Sequence, residues 1–484
     1  MESEKLLAQY VTDTAYEALP EKPVAIAKEV MLTVLGTTIA GANAEGCEAL
    51  VRQVRKWGGR KEATILMHGG KVPAYNAALV NSAMARALDF CDGMVPGMHV
   101  GSSSVPTALA AAELAGGCTG KEFLTALVVG TEVASRLNAV SVYDGFDPTG
   151  VCTIFGAAAI AGRILRLDAR QMKDALALAF NKAGGSMQSN IDGSLAVRVI
   201  QGFTSQSGII SAQLAQSGIT GPKNFLEGIY GYFHLYAKDN YDTQAVTADL
   251  GKRFEMEKTL FKRFPSCGGT LAPTDAVLTL VNEKQFAAEE IARIDVRVSP
   301  HVHKLVGGLF EIGENPKVNA QFNIQYCVAN ALLRKSSRLR HFDEADIRDP
   351  RIMELVKLIH VSPEPSLDDP ASAKFSIAAH VKLITKRGDV YDTKSADIPR
   401  GHPGNPLSRE EHMERFRDCL DYAGNTLPAA SVEKMLAIVA RLEETEDVRS
   451  LVPLLVRNRR QKARRKFESI PRGAVTEIKK EEKR

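Results

Sequence analysis

Six segments of the first 218 residues (24–42, 74–90, 121–140, 155–167, 169–184 and 202–218) repeat apolar side chains at i, i+3 and i+4. That period is the mark of a helix with a buried face, and Gly or Pro stands near several of the ends, where helices start or stop. Many of the recurring residues are Ala and Gly, and aromatic residues are only 6% of the chain. Small side chains at facing positions let helices approach closely, so thin interhelical seams are expected in place of a bulky core. The first half is therefore predicted to be an all-helical domain.

The texture changes after "FKRFPSCGG". "IARIDVRVS" and "KFSIAAHVKLITKRGDVYDTKS" alternate apolar and polar residues, and the Gly of "RGD" suits the positive φ of a hairpin turn. Helical stretches, "APTDAVLTLVNEKQF" and "NAQFNIQYCVANALL", lie between them. This mixture predicts a smaller α+β unit. Helical spacing then returns in "SREEHMERFRDCLDYA" and "AASVEKMLAIVARLEE". The fold class expected is mainly α, with a large all-helical domain interrupted by an α+β lid. The boundaries are 1–263 for the first helical part, 264–400 for the lid, 401–456 for the return and 457–484 for a basic tail. Chain crossings are expected near 263–265 and at the Gly/Pro cluster 401–406.

A chain of 484 residues with 45% hydrophobic content can fill two cores. Seven scattered cysteines without a CxxC suit reduced thiols and a cytoplasmic location. The N-terminus has no basic segment followed by an apolar one, and no uninterrupted apolar run approaches the roughly 20 residues that span a bilayer, so neither secretion nor a membrane partner is expected. From Arg457 onward twelve Lys or Arg face four Glu, a net of +8, which leaves the preceding body at −4 against +4 for the whole chain. The basicity belongs to the tail, which is expected to be a solvated extension dispensable for activity. With Phe467 as its one aromatic, it gives little reason to expect a nucleic-acid partner.

One loop stands out for chemistry. In "LDFCDGMVPGMHVGSSSVPTALAAAE" Asp92 and His99 precede an Ala-rich helix. A helix starting at "SSSVP" would offer its free N–H groups to an anion, and Ser102, Ser103 and Ser104 would add hydroxyls. By themselves an Asp and a His on a loop are most often turn or cap residues. His301 and His303 in "HVH" would share one face of a strand, but no third ligand has a recognisable spacing and no metal is assigned. No dinucleotide or phosphate-loop motif occurs, so no nucleotide cofactor is indicated.

Segments in a fixed order resemble the MmgE/PrpD family, which includes 2-methylcitrate dehydratase, cis-aconitate decarboxylase and iminodisuccinate epimerase. They include "AKEVMLTVLGTTIAGA", "ALDFCDGMVPGMHVGSSSVP", "FDPTGVCTIFGAAAIAG", "GFTSQSGIISAQLAQSGITGPKNFLEG", "FKRFPSCGGTLAPTDA" and "GHPGNPLSREEHMERF", and the match covers nearly all of 5–445. The resemblance implies an active cleft between the helical domain and the lid, homodimerisation and no obligatory metal or organic cofactor. Asp92 looks like the second acid of the family's DFDD stretch, His99 like the His of its HPGS or HPSG stretch, and Tyr326 like an active-site tyrosine. Three positions depart: Asp147 and Leu271 replace histidines, and Val197 with Arg198 replaces a lysine.

The family's reactions begin at a carbon acid beside a carboxylate, so they need a base of suitable pKa and donors for the developing negative charge. Asp92, His99, Tyr326 and Asp147 are the catalytic candidates, and Ser102, Ser103, Thr149, Arg198, Gln201 and Cys267 the substrate-binding ones. Arg198 stays protonated and suits a carboxylate. The function implied is a cofactor-independent lyase acting on a small di- or tricarboxylate, similar to 2-methylcitrate dehydratase. The alternatives are an epimerase or a decarboxylase, and, given the three departures, a non-catalytic polycarboxylate-binding paralogue.

Overall fold

The computed structural model describes residues 2–95, 97–239, 242, 244–368, 376–393 and 398–457. The basic tail beyond Arg457 lies outside the described residues.

The six periodic segments all form helices, at Glu21–Gly41, Ala74–Arg86, Gly120–Val140, Pro148–Ile164, Ala169–Phe180 and Ile200–Gln216. The Pro148–Ile164 helix is the axle of the first core, with every residue but Arg163 buried. Its neighbours come close because their contact residues are small. A Cβ on Gly130 would stand 2.8 Å from the Gly156 carbonyl, and one on Gly208 would stand 2.5 Å from the Ala157 Cβ. Glu132 and Arg136 form a fully buried ion pair at 2.6 Å. Glu132 also accepts from the amides of Glu255 and Met256, and Arg136 donates to the carbonyls of Val246, Ala248 and Arg253. With its hydrogen-bonding groups met, the pair pins the return segment at about 246–256 to the core.

By length and apolar composition, Glu21–Gly41 and Gly120–Val140 could each cross a membrane, but 72% and 89% of their apolar windows are buried inside this core. The Arg409–Tyr422 and Ala429–Ala440 helices return to it through Phe416, Cys419, Met435 and Val439. A 3₁₀ segment, Val448–Leu455, follows, with Leu451 and Leu455 buried and Leu454 half-buried.

A second core gathers residues 260–383 with Val197. Its sheet runs in the order Ile359–Pro363, Ile291–Val298, Ala379–Thr385, Val390–Asp392, the first pair parallel and the other two antiparallel. Ile294, Val296 and Val298 pack inward with Val381 and Leu383, as the alternation requires. The last two strands are a hairpin turned at Gly388, whose φ is +90°. The Gly268–Lys284 and Ile324–Arg334 helices belong to the same core.

The "HVH" segment departs from the strand expected of it. Residues Pro300–Val306 form a short helix, because Ser299 caps the Val302 amide and Pro300 occupies the first turn. His301 and His303 therefore do not share a face.

The two crossings between the cores are tied together. Asp92 and Gly93 pair antiparallel with Phe261 and Leu260. The Phe261 amide donates to Gly401 at 2.9 Å. The loop carrying Asp92 and His99 thus sits where both crossings meet.

Candidate active site

A pocket open to solvent at its mouth lies between the two cores. From the side of the first core it is lined by Arg86, Met94, His99, Asp147 and Asn190. From the second come Leu260, Lys262, Cys267, His301, Leu305 and Phe322. Its walls are mainly apolar, with a few convergent polar groups, as is usual for small-molecule sites.

The charge at its base comes from Arg86, Asp89 and Lys262. All three are buried, with the Arg86 guanidinium in contact with the Asp89 carboxylate. Lys262 Nζ lies 2.6 Å from the same Oδ1. Burial opposes charge on Asp89, but Arg86 and Lys262 outweigh it and hold its carboxyl below the usual range. Two cations therefore share one anion, and Arg86 Nε has no partner among the described residues. Both cations line the pocket, with Asp89 as the one carboxylate among the described residues in direct contact with them.

His99 stands on the same wall. Its Nδ1 lies 2.7 Å from the Asp92 carbonyl. A carbonyl only accepts, so Nδ1 carries the hydrogen and Nε2 keeps its lone pair. Burial, then the positive charges of Arg86 and Lys262, push the imidazole well below its usual value, so it is neutral at physiological pH.

Thr149 links His99 to Asp147: its Oγ1 accepts from the His99 amide at 3.1 Å, and its own amide donates to Asp147 Oδ1 at 2.8 Å. Asp147 is the N-cap of the Pro148–Ile164 helix, and burial raises its carboxyl against the opposing pull of the Thr149 amide and Arg86. Cys267 lines the pocket as a thiol whose pKa burial raises.

The other expected residues are placed elsewhere. Asp92 is fully buried and does not line the pocket. Its carboxylate accepts from the Val100 amide at 3.0 Å and the Gly101 amide at 2.9 Å. The N-terminus of the Gly101–Leu114 helix, expected as an open anion cradle, is thus filled by the protein's own carboxylate. Gly101 is required there, since a Cβ would fall 2.3 Å from Asp92 Oδ1.

Ser103 bonds Thr153 and Thr204 across an interhelical seam, Ser102 faces Cys91, and Ser104 bonds back to Val100. Arg198 pairs with Glu45 at 2.8 Å, with its Nε and Nη2 buried and without a partner among the described residues. Gln201 is likewise buried, with neither amide atom bonded to any of the described residues. Neither Arg198 nor Gln201 lines the pocket. Tyr326 lies in the second core between Phe310 and Phe342, its hydroxyl donating to the His341 carbonyl.

Sequence reasoning overlooked Arg86, Asp89 and Lys262, although signals existed. Asp89 and Arg86 are the two charged residues in the 74–90 segment, and Lys262 alternates with Arg263 between two phenylalanines. Lys262 points inward, while Arg263 points outward to Asp275. Among the described residues no group of three or more His, Cys, Asp or Glu is arranged to hold a metal ion.

The MmgE/PrpD N-terminal domain model matches residues 5–244, and the MmgE/PrpD C-terminal domain model matches residues 264–444. The chain belongs to the MmgE/PrpD family. Its similarity to curated members runs the length of both domains. Cis-aconitate decarboxylase of Homo sapiens is 27% identical over 451 residues, covering 90% of this chain and 91% of that protein. Cis-aconitate decarboxylase of Aspergillus terreus is 24% identical over 473 residues, covering 93% and 95%. Both matched domains of this MmgE/PrpD chain contribute residues to the pocket.

Proposed function

We propose that this chain is a lyase for a small polycarboxylate, with His99 as its proton-transfer residue. The observation that carries the reading is a neutral imidazole beside two buried cations that share a single carboxylate. A substrate carboxylate held at Lys262 and Arg86 would complete their charge balance. His99 Nε2 would then take the proton from the adjacent carbon, and the electron pair would spread into that carboxylate, where both cations stabilise it. In dehydration the C–O bond at the neighbouring carbon breaks, and the hydroxyl leaves as water with a proton from Asp147, whose raised pKa suits an acid. Asp92 and Thr149 act as positioning residues, Asp92 through its carbonyl on His99 Nδ1 and Thr149 through the His99 amide.

A second reading, decarboxylation, is favoured by the activity named for the relatives. There a C–C bond breaks, CO₂ leaves, and the carbanion takes a proton from the same pocket. Homodimerisation, a cytoplasmic location and a lid hinging at the two crossings go with either reading.

The test is a mass-spectrometric screen of the purified protein against hydroxy, unsaturated and amino polycarboxylates. Loss of 18 mass units identifies dehydration, loss of 44 identifies decarboxylation, and isotope exchange without a mass loss identifies epimerisation. Binding without turnover of any of them would mark a non-catalytic paralogue and refute the lyase reading.

A further inference from the structure

The lid contributes an imidazole of its own. His301 lines the pocket together with His99, and His303, two residues along the same short helix, does not. The short helix that carries His301 is anchored on several sides. Ser299 caps the Val302 amide and donates through its hydroxyl to the Ser376 carbonyl at 2.9 Å. Val302 and Val306 are buried in the second core. A Cβ on Gly269 would stand 2.9 Å from Val302 Cγ1, so the glycine lets this helix seat closely on the neighbouring one. From the first core, Tyr143 meets the imidazole edge-on, with ring centroids 5.0 Å apart and planes at 86°. The ring is thus clamped between the two cores at the pocket wall.

Resting on the lyase reading, we propose that His301 is a specificity-determining residue that takes up a proton as a polycarboxylate binds. It then donates a hydrogen bond to a second carboxylate, apart from the one held at Arg86 and Lys262. The proton comes from solvent and stays on the imidazole, so the step breaks no carbon bond.

In the substrate-free pocket burial pushes His301 down to about 4, with Lys304 acting in the same direction and Asp368 against it. The other titratable or charged groups facing the pocket are His99, Asp147, Cys267, Arg86 and Lys262. An entering polyanion reverses the balance at His301, because a negative charge within a few ångströms favours the imidazolium. A substrate with one carboxylate would leave His301 neutral. The residue therefore selects for di- and tricarboxylates.

Tricarballylate, an unreactive tricarboxylate, is the probe. Calorimetric titration at pH 7 in buffers of different ionisation enthalpy reads both affinity and protons taken up. Wild type should take up close to one proton per tricarballylate bound. His301→Gln should lose at least half of that uptake and bind about tenfold more weakly or worse, the usual scale for a charge-assisted hydrogen bond. His303→Gln should match wild type, and equal thermal midpoints would show that both variants fold. Wild-type uptake and affinity retained in His301→Gln would overturn the assignment while leaving the lyase reading intact. If wild type bound neither tricarballylate nor citrate, the polycarboxylate reading itself would fail, and this assignment with it.

Discussion

Replacing Asp92 separates a positioning residue from a base. Its carboxylate accepts the Val100 and Gly101 amides at the start of the Gly101–Leu114 helix. Asp92→Ala leaves both donors buried and unmet. Loss of an N-cap costs about 1 kcal/mol, up to about 2, and loss of an anion at a helix N-terminus costs about 0.3–2 kcal/mol more. Burial raises the Asp92 pKa, so some of this is returned when the buried charge is removed. The net expectation is about 2–3 kcal/mol for Ala and about 1 kcal/mol for Asn, which keeps an acceptor. At about 1.4 kcal/mol per tenfold change, amide hydrogen exchange at Val100 and Gly101 should speed up by roughly 30- to 140-fold in Asp92→Ala and about fivefold in Asp92→Asn. Turnover by folded Asp92→Asn should stay within tenfold of wild type with an unchanged pH profile. A thousandfold loss of turnover in Asp92→Asn, with exchange unaltered, would refute this and make Asp92 a base.

Lys262→Met should fold, because Arg86 still neutralises Asp89. Its affinity for a polycarboxylate should fall about 10- to 100-fold, and calorimetry showing a change under threefold would contradict the role given to Lys262. Acid should destabilise the protein through its buried imidazoles. His341 and His412 are both pushed down to about 4, mainly by burial. Unfolded they titrate near 6.5, so stability present above pH 6.5 is lost as pH falls toward 4, by up to roughly 1.4 kcal/mol per pH unit for each. The raised carboxyls of Asp92, Asp147 and Glu132 act with the opposite sign. Melting curves at pH 7 and 5 should show a smaller loss of stability in His412→Gln than in wild type.

Helices with a long apolar period were legible because each buries a face whose spacing survives in the sequence, and the hairpin because Gly388 interrupts an alternating pattern. The "HVH" helix was not, since seven residues are too few to display a period, and its Ser-Pro start was the signal passed over. Asp92 and His99 were visible as chemistry-bearing residues, but a carboxylate ahead of a helix looks the same in sequence whether it faces a ligand or the helix's own amides. Arg86 and Lys262 come together on Asp89 only in the folded chain, one at a helix end and the other just after the Leu260–Phe261 strand. Tyr326, flagged through the family resemblance, packs in the second core, a placement the sequence alone does not display.

The central claim is that His99 moves a proton at a carbon beside a bound carboxylate. The most direct measurement runs the polycarboxylate that turns over in D₂O and follows the substrate and product by NMR, for wild type and His99→Gln. Wild type should exchange or install deuterium at that carbon, and His99→Gln should do so at least a hundredfold more slowly while binding tricarballylate with affinity within threefold. Wild-type rates of exchange and turnover in His99→Gln would contradict the claim.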